Sequence, residues 1–126
     1  MPNKYYVRAA ATERRDVSWL RSEGWVAFRT PASRGGTDIL GDKYAPEHPD
    51  SCSGCGRLPT LLGEVKHGQG KTPWSLFPPD EREAFLSLAR DLGYQNDNGH
   101  NPVRPILLWH PLREGRVIVE PEFFPS

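Results

Sequence analysis

The chain has 126 residues, with 16 basic and 16 acidic side chains, 37% hydrophobic and 25% charged, which is the profile of one globular domain with a modest core. No apolar run approaches the roughly 20 residues that cross a bilayer, and the balanced charge excludes a global electrostatic pull on nucleic acid. Cations gather locally instead: residues 1–35 hold seven basic groups (Lys4, Arg8, Arg14, Arg15, Arg21, Arg29, Arg34) against three acidic ones (Glu13, Asp16, Glu23). Such an excess suits contacts to phosphate, or a solvated helix face.

Residues 9–23 read as a helix, with Ala9, Val17 and Leu20 on an inner stripe and Gly24 as its stop. "WVAFRT", Trp25 to Thr30, is rich in aromatic and β-branched residues and predicts a strand. "PASRGG" turns into "TDIL", a short second strand, and a polar excursion with three prolines follows at about 41–59. "TLLGEVK" is a third strand entering the core. "FPPDEREAFLSLARDLGY" is the strongest helix: proline precedes it, Asp80 and Glu81 complement its first turn, and Gly93 ends it. Phe85, Leu88, Ala89 and Leu92 keep helical spacing and predict its packed face. After the loop "QNDNGHNP" come "VRPILLWHP", a buried strand at Ile106–Trp109, and "GRVIVEP", a last strand. The order α-β-β-(loop)-β-α-β-β predicts an α/β domain: a mixed central sheet of about five strands flanked by helices.

Three features carry chemistry. Asp38 opens the second strand just after a Ser-Arg-Gly-Gly segment. Glu64 and Lys66 are two apart on the third strand, so they share one face while Val65 turns to the other. Glu13 lies on the first helix beside Arg14 and Arg15. Carboxylates from adjacent strands form a hard oxygen site suited to Mg2+ or Mn2+, to which the Val65 carbonyl could add a ligand. A nearby lysine can orient a metal-bound water and stabilise developing negative charge. A bare Glu-x-Lys is a weak pattern, and a salt-bridged surface strand would also produce it.

The stretches "TERRDVSWLRSEGWVAFRTPASRGGTDIL" and "LLGEVKHG" resemble the archaeal-type Holliday junction resolvases of the PD-(D/E)XK nuclease superfamily. The resemblance covers most of the chain, the 41–59 insertion being the main departure. It implies a restriction-endonuclease-like fold in a single nuclease domain over 1–126. It also implies Asp38 and Glu64 as metal ligands, Lys66 as the catalytic lysine, and Glu13 as an outer or water-mediated acid. Arg14 and Arg29 would position the scissile phosphate, and Ser33 matches a loop serine that assists there in some members. Arg15, Arg34 and, in the "HGQGK" exit, Lys71 are further expected DNA contacts. The implied activity is Mg2+-dependent symmetric nicking of four-way DNA junctions by a homodimer, with no small-molecule cofactor and no membrane partner. Two alternatives stay open: a flap or branched-DNA nuclease resembling the virus-type replication-repair group, and a non-catalytic DNA-binding module of the same fold.

Cys52 and Cys55 form "CSGC", half of a structural Zn2+ site. His48 is a candidate third ligand, with Asp50 or a dimer mate as the fourth; the alternatives are free reduced thiols or a local disulfide, which a cytosolic location disfavours. Trp74, Phe77 and Tyr94 could stack on junction bases or pack in the core or a dimer interface. His67, His100 and His110 lack metal-ligand spacing. The opening "MPNKYYVRAAATERRD" has no signal-like apolar segment, so a cytoplasmic location is expected, that of the host if the gene is viral or phage-borne.

Overall fold

Five strands form one mixed sheet in the order β1-β2-β3-β4-β5, and two helices pack on it. The structure, a computed structural model, describes residues 4–30, 37–95, 101–111 and 115–125, with side chains from residue 9 onward. The elements are α1 (Lys4–Ser22), β1 (Val26–Arg29), β2 (Ile39–Asp42), β3 (Thr60–His67), α2 (Pro79–Asp91), β4 (Val103–His110) and β5 (Val117–Val119). A 3-10 turn, Pro121–Phe123, follows. This is the expected mixed sheet of five strands flanked by helices.

β1, β2 and β3 run as an antiparallel meander. β3 and β4 are parallel over eight residue pairs, from Thr60↔Val103 to His67↔His110. A parallel pair needs a crossover, and α2 supplies it. β5 returns antiparallel along β4.

Strand alternation divides the core into two layers. Leu61, Ile39, Ile106 and Leu108 meet Val17 and Leu20 of α1 on one face. Leu62, Leu107 and Trp109 meet Phe77, Phe85 and Ala89 on the α2 face. "ILLW" in β4 is therefore apolar without alternation, because both faces of this central parallel strand are covered.

Two expected helix faces shift. In α1, Ala10 rather than Ala9 is buried with Val17 and Leu20, and the stripe also takes in Thr12 and Asp16. The helix begins five residues earlier than expected, at Lys4. In α2, Leu92 is 48% exposed, while Arg82 is buried beside Phe85 and Ala89. Leu92 is the cap, at φ −92° and ψ 6°, so helical spacing no longer governs where it points. Gly93 stops the helix in the left-handed region, at φ 103°.

The 41–59 excursion is more ordered than a plain loop. β2 continues to Asp42, and a bridge pairs Tyr44 with Arg57. Hydrogen bonds Ala45 N–H to Gly56 O (2.8 Å) and Leu58 N–H to Lys43 O (2.9 Å) close it as a hairpin extension. Among the described residues, no helix is long and apolar enough to cross a membrane.

Candidate active site

The register of β2 on β3 pairs Ile39 with Gly63, which sets Asp38 opposite Glu64 at the next step. Asp38 N–H donates to Gly63 O at 2.9 Å, and Asp38 Oδ2 accepts the Val65 N–H at 2.9 Å. The carboxylate thus caps the point where β2 peels from β3. Both N–H and C=O of one strand residue face the same neighbour, so the Val65 carbonyl lies on this edge too.

The two acids are neither exposed nor independent. Burial, then the Asp38 charge, pushes the Glu64 carboxyl up to about 8, against the pull of Lys66. Asp38 is raised by burial, while the Val65 N–H, Lys66, the Glu64 hydrogen bond and Arg29 hold it down. Glu64 keeps its proton near neutral pH and donates it to Asp38. A divalent cation would replace that proton and let both groups ionise. Two carboxylates and a backbone carbonyl form the hard donor set that Mg2+ or Mn2+ takes, so these residues fit such an ion.

Lys66 leaves β3 on the same face. Its Nζ lies 3.7 Å from Glu64 Oε1 and 2.8 Å from Glu81 Oε2, in the first turn of α2. Burial works against the ammonium, but the Glu81 hydrogen bond and the Glu64, Glu81 and Asp38 charges outweigh it, so its pKa is raised. The Phe77 ring lies 5.7 Å from Nζ, giving the cation an apolar wall.

Glu13 reaches the site from α1. Its carboxyl is raised by burial and the Asp38 charge, and Arg29 at the end of β1 bonds it at 3.3 Å, Nε to Oε1. Among the described residues, no three His, Cys, Asp or Glu side chains stand close enough to bind one ion. Glu13 is therefore engaged with arginine, beside the Asp38–Glu64 pair rather than in it. Arg14 is exposed on the same helix, and its charge also bears on Glu13. Arg15 is exposed and donates to Thr12 Oγ1 at 3.2 Å; Lys71 is exposed beyond β3. Ser33 and Arg34 lie outside the described residues, as does His100.

Sequence reasoning missed two partnerships. Glu81 reads as a helix-dipole acid, yet it holds Lys66. The topology gives the missing signal: a crossover helix starts where the preceding parallel strand ends, so a first-turn acid can meet a residue near that strand's end. The second is Asp16, fully buried on α1. It accepts His110 Nε2 at 2.8 Å and Arg116 Nε at 2.5 Å, and Arg116 stacks 4.3 Å above Trp19. The histidine without ligand spacing is thus a tie between β4 and α1.

Trp74 and Phe77 serve the core rather than an open stacking face, while Tyr94 packs partly buried against it. Phe77 is fully buried against Phe85 and Phe124, and Trp74 packs edge-on to Phe124 beneath the Arg82 guanidinium. Cys52 and Cys55 are exposed free thiols. His48 is not gathered to them: its Nδ1 accepts the Asp50 N–H at 3.0 Å. A concavity of about 890 Å3 includes Trp25, Lys43, Tyr94, Arg104 and Glu120 in its lining, and none of the candidate acids. It lies where β3 and β4 begin, whereas Glu64 and Lys66 lie toward the far end of β3.

No family model matches the sequence, and no curated protein matches it. Among solved structures, the chain is similar to Hjc, a Holliday junction resolvase from the archaeal hyperthermophile Archaeoglobus fulgidus. The likeness has a TM-score of 0.62 at 16% identity and spans 94% of this chain and 77% of that one. The chain therefore shares the fold of that resolvase, a restriction-endonuclease-like arrangement.

Proposed function

We propose that this chain is a single-domain, structure-specific DNA endonuclease that resolves four-way junctions by Mg2+-dependent phosphodiester hydrolysis, with Mn2+ able to substitute. The observation that carries this reading is the facing Asp38–Glu64 pair with Lys66 on the same sheet face. The fold shared with a Holliday junction resolvase supports the choice of branched DNA over other phosphodiesters.

Asp38 and Glu64, with the Val65 carbonyl, are the donors for the cation, which when bound supplies a Lewis acid and a more acidic water. The residues of the chain do the rest. Lys66, oriented by Glu81, stabilises charge developing on the phosphate oxygens. Arg29 and Arg14 hold the scissile phosphate, while Glu13 keeps Arg29 in place from α1. Arg15, Arg34 and Lys71 contact the flanking backbone, with Ser33 near the scissile phosphate. Two copies act as a homodimer, because two strands are cut and a two-fold enzyme matches the symmetry of the junction.

The test is cleavage of equal-length four-way junction, flap and linear duplex DNA in Mg2+. Paired symmetric nicks in the junction support resolution. Flap cutting with an intact junction favours a flap nuclease, and no cleavage in Mg2+ or Mn2+ favours a binding module.

A further inference from the structure

The Asp16 tie sits where β3 and β4 end, beside the candidate active site but outside it. Trp109 pairs with Val117, so His110 and Arg116 stand opposite each other at the next step of that ladder. On the other side, His67 is the partner of His110 across the parallel β3–β4 pair. Strand alternation carries Leu61 and Val65 on to His67, and Ile106 and Leu108 on to His110, all on the α1 face. His67, His110 and Arg116 therefore form a row across the carboxyl ends of two parallel strands. Open α/β sheets receive their ligands at such ends.

Arg116 is held so that its fork stays open. Its Nε donates to Asp16 Oδ1 at 2.5 Å, and its guanidinium stacks 4.3 Å above the Trp19 ring. Asp16 is fully buried and also takes His110 Nε2, at 2.8 Å from Oδ2. Among the described residues, neither Nη of Arg116 has a hydrogen-bond partner. No buried side-chain polar atom there is left unsatisfied, so both Nη groups reach solvent. A guanidinium that only neutralised Asp16 would bond it best through two parallel N–H groups, yet a single Nε is used. Indole fixes the plane and the carboxylate fixes one edge. The other edge keeps the geometry that matches two phosphate oxygens. Arg15, exposed one residue before Asp16 on α1, adds a second cation to this end of the helix.

We propose that Arg116, with His67 and His110 in its row, grips a DNA backbone phosphate flanking the scissile one, and that Asp16 and Trp19 are its positioning residues. The inference rests on the nuclease reading for its substrate and adds a second hold on the same backbone. His67 lies three residues beyond Glu64 on β3, a rise of about 10 Å. That is roughly three nucleotide steps at about 3.4 Å of helix axis per step. A contact at that remove fixes the path of the strand through the site without touching the reacting atoms.

The experiment measures binding of the full chain to a labelled four-way junction by fluorescence anisotropy, without divalent metal, over a series of salt concentrations. Arg116→Gln should weaken binding and make the slope of log K against log salt shallower by about 0.9, the value of one phosphate contact. Arg116→Lys keeps the charge and should keep most of the slope. Arg104→Gln, at the opposite end of β4, should leave it unchanged. Arg116→Gln also strips Asp16 of its counter-charge, so Asp16→Asn/Arg116→Gln is measured beside it, with circular dichroism to establish the fold. A purely structural tie would lower the urea midpoint and leave the slope alone. A wild-type slope in either folded variant overturns the proposal, and so does a wild type that binds no DNA. Cleavage in Mg2+ is scored separately. A wild type that never cuts, yet loses slope on Arg116→Gln, removes the nuclease reading and upholds the phosphate grip.

Discussion

Lys66 Nζ lies 2.8 Å from Glu81 Oε2 and 3.7 Å from Glu64 Oε1, so one ammonium is held between its own strand and the helix that follows. Glu81 is nearly half exposed and Lys66 is not. The pair therefore acts mainly by orienting the lysine rather than by stabilising the fold. Glu81→Gln keeps an acceptor for Lys66, whereas Glu81→Ala removes it. Junction nicking should fall by about tenfold or more in the alanine variant and recover in part in the glutamine variant. Unchanged junction affinity in a gel-shift assay would mark the loss as one of positioning.

Asp38→Asn should abolish cutting, by roughly a thousandfold or more, while junction binding persists. Asparagine retains an acceptor for the Val65 N–H, so the edge of β3 should stay intact. A folded variant that loses binding together with cleavage would assign Asp38 to DNA recognition instead.

The Glu64 carboxyl at about 8 makes stability depend on pH with a definite sign. In the folded chain it stays protonated above the pH at which an unfolded glutamate ionises. Between the ordinary glutamate value of 4.5 and about 8 the folded state therefore binds more protons, and stability falls as pH rises through that window. The contribution is complete below 4.5 and gone above about 8. One such proton is worth up to about 1.4 kcal/mol per pH unit. Glu64→Gln should accordingly raise the thermal midpoint relative to wild type at pH 8 by a few degrees and make little difference at pH 4.5. Thermal melts at the two pH values decide it.

Mg2+ should stabilise the wild type more at pH 8, where the Glu64 carboxyl is about half ionised already, than at pH 5, where a whole proton must be displaced. Asp38→Asn and Glu64→Gln should each remove the shift. A Mg2+ effect on melting that survives in both variants would move the ion elsewhere.

Asp16→Asn should be the costliest single change to stability, at about 3–5 kcal/mol, because it leaves Arg116 without its buried counter-charge. His110→Gln keeps a polar contact to Asp16 and should cost less. Urea unfolding measures both. Since Glu13 lies one helical turn before Asp16, loosening this tie should also lower nicking before the protein unfolds.

Much of the site was readable from local pattern. Period-two alternation puts Glu64 and Lys66 on one face, and the apolar lead of Leu61 and Leu62 announces a strand entering the core. The second helix was legible from Pro79, its first-turn acids and Gly93, all of which act within a few residues. Ala9 and Leu92 were misplaced because an amphipathic stripe defines a helix face only where the helical path continues and its start is known.

By itself, the sequence determined which segments are strands and helices, the shared face of Glu64 and Lys66, and the cysteine spacing of the hairpin tip. These follow from backbone periodicity and short-range turn chemistry. Tertiary structure alone decided that Asp38 meets Glu64 across a strand pair, that Glu81 orients Lys66, and that Asp16 ties α1 to His110 and Arg116 nearly a hundred positions away. Such meetings depend on strand register and on where the crossover helix lands. Both are set by how the two apolar layers pack, which no local window of sequence contains.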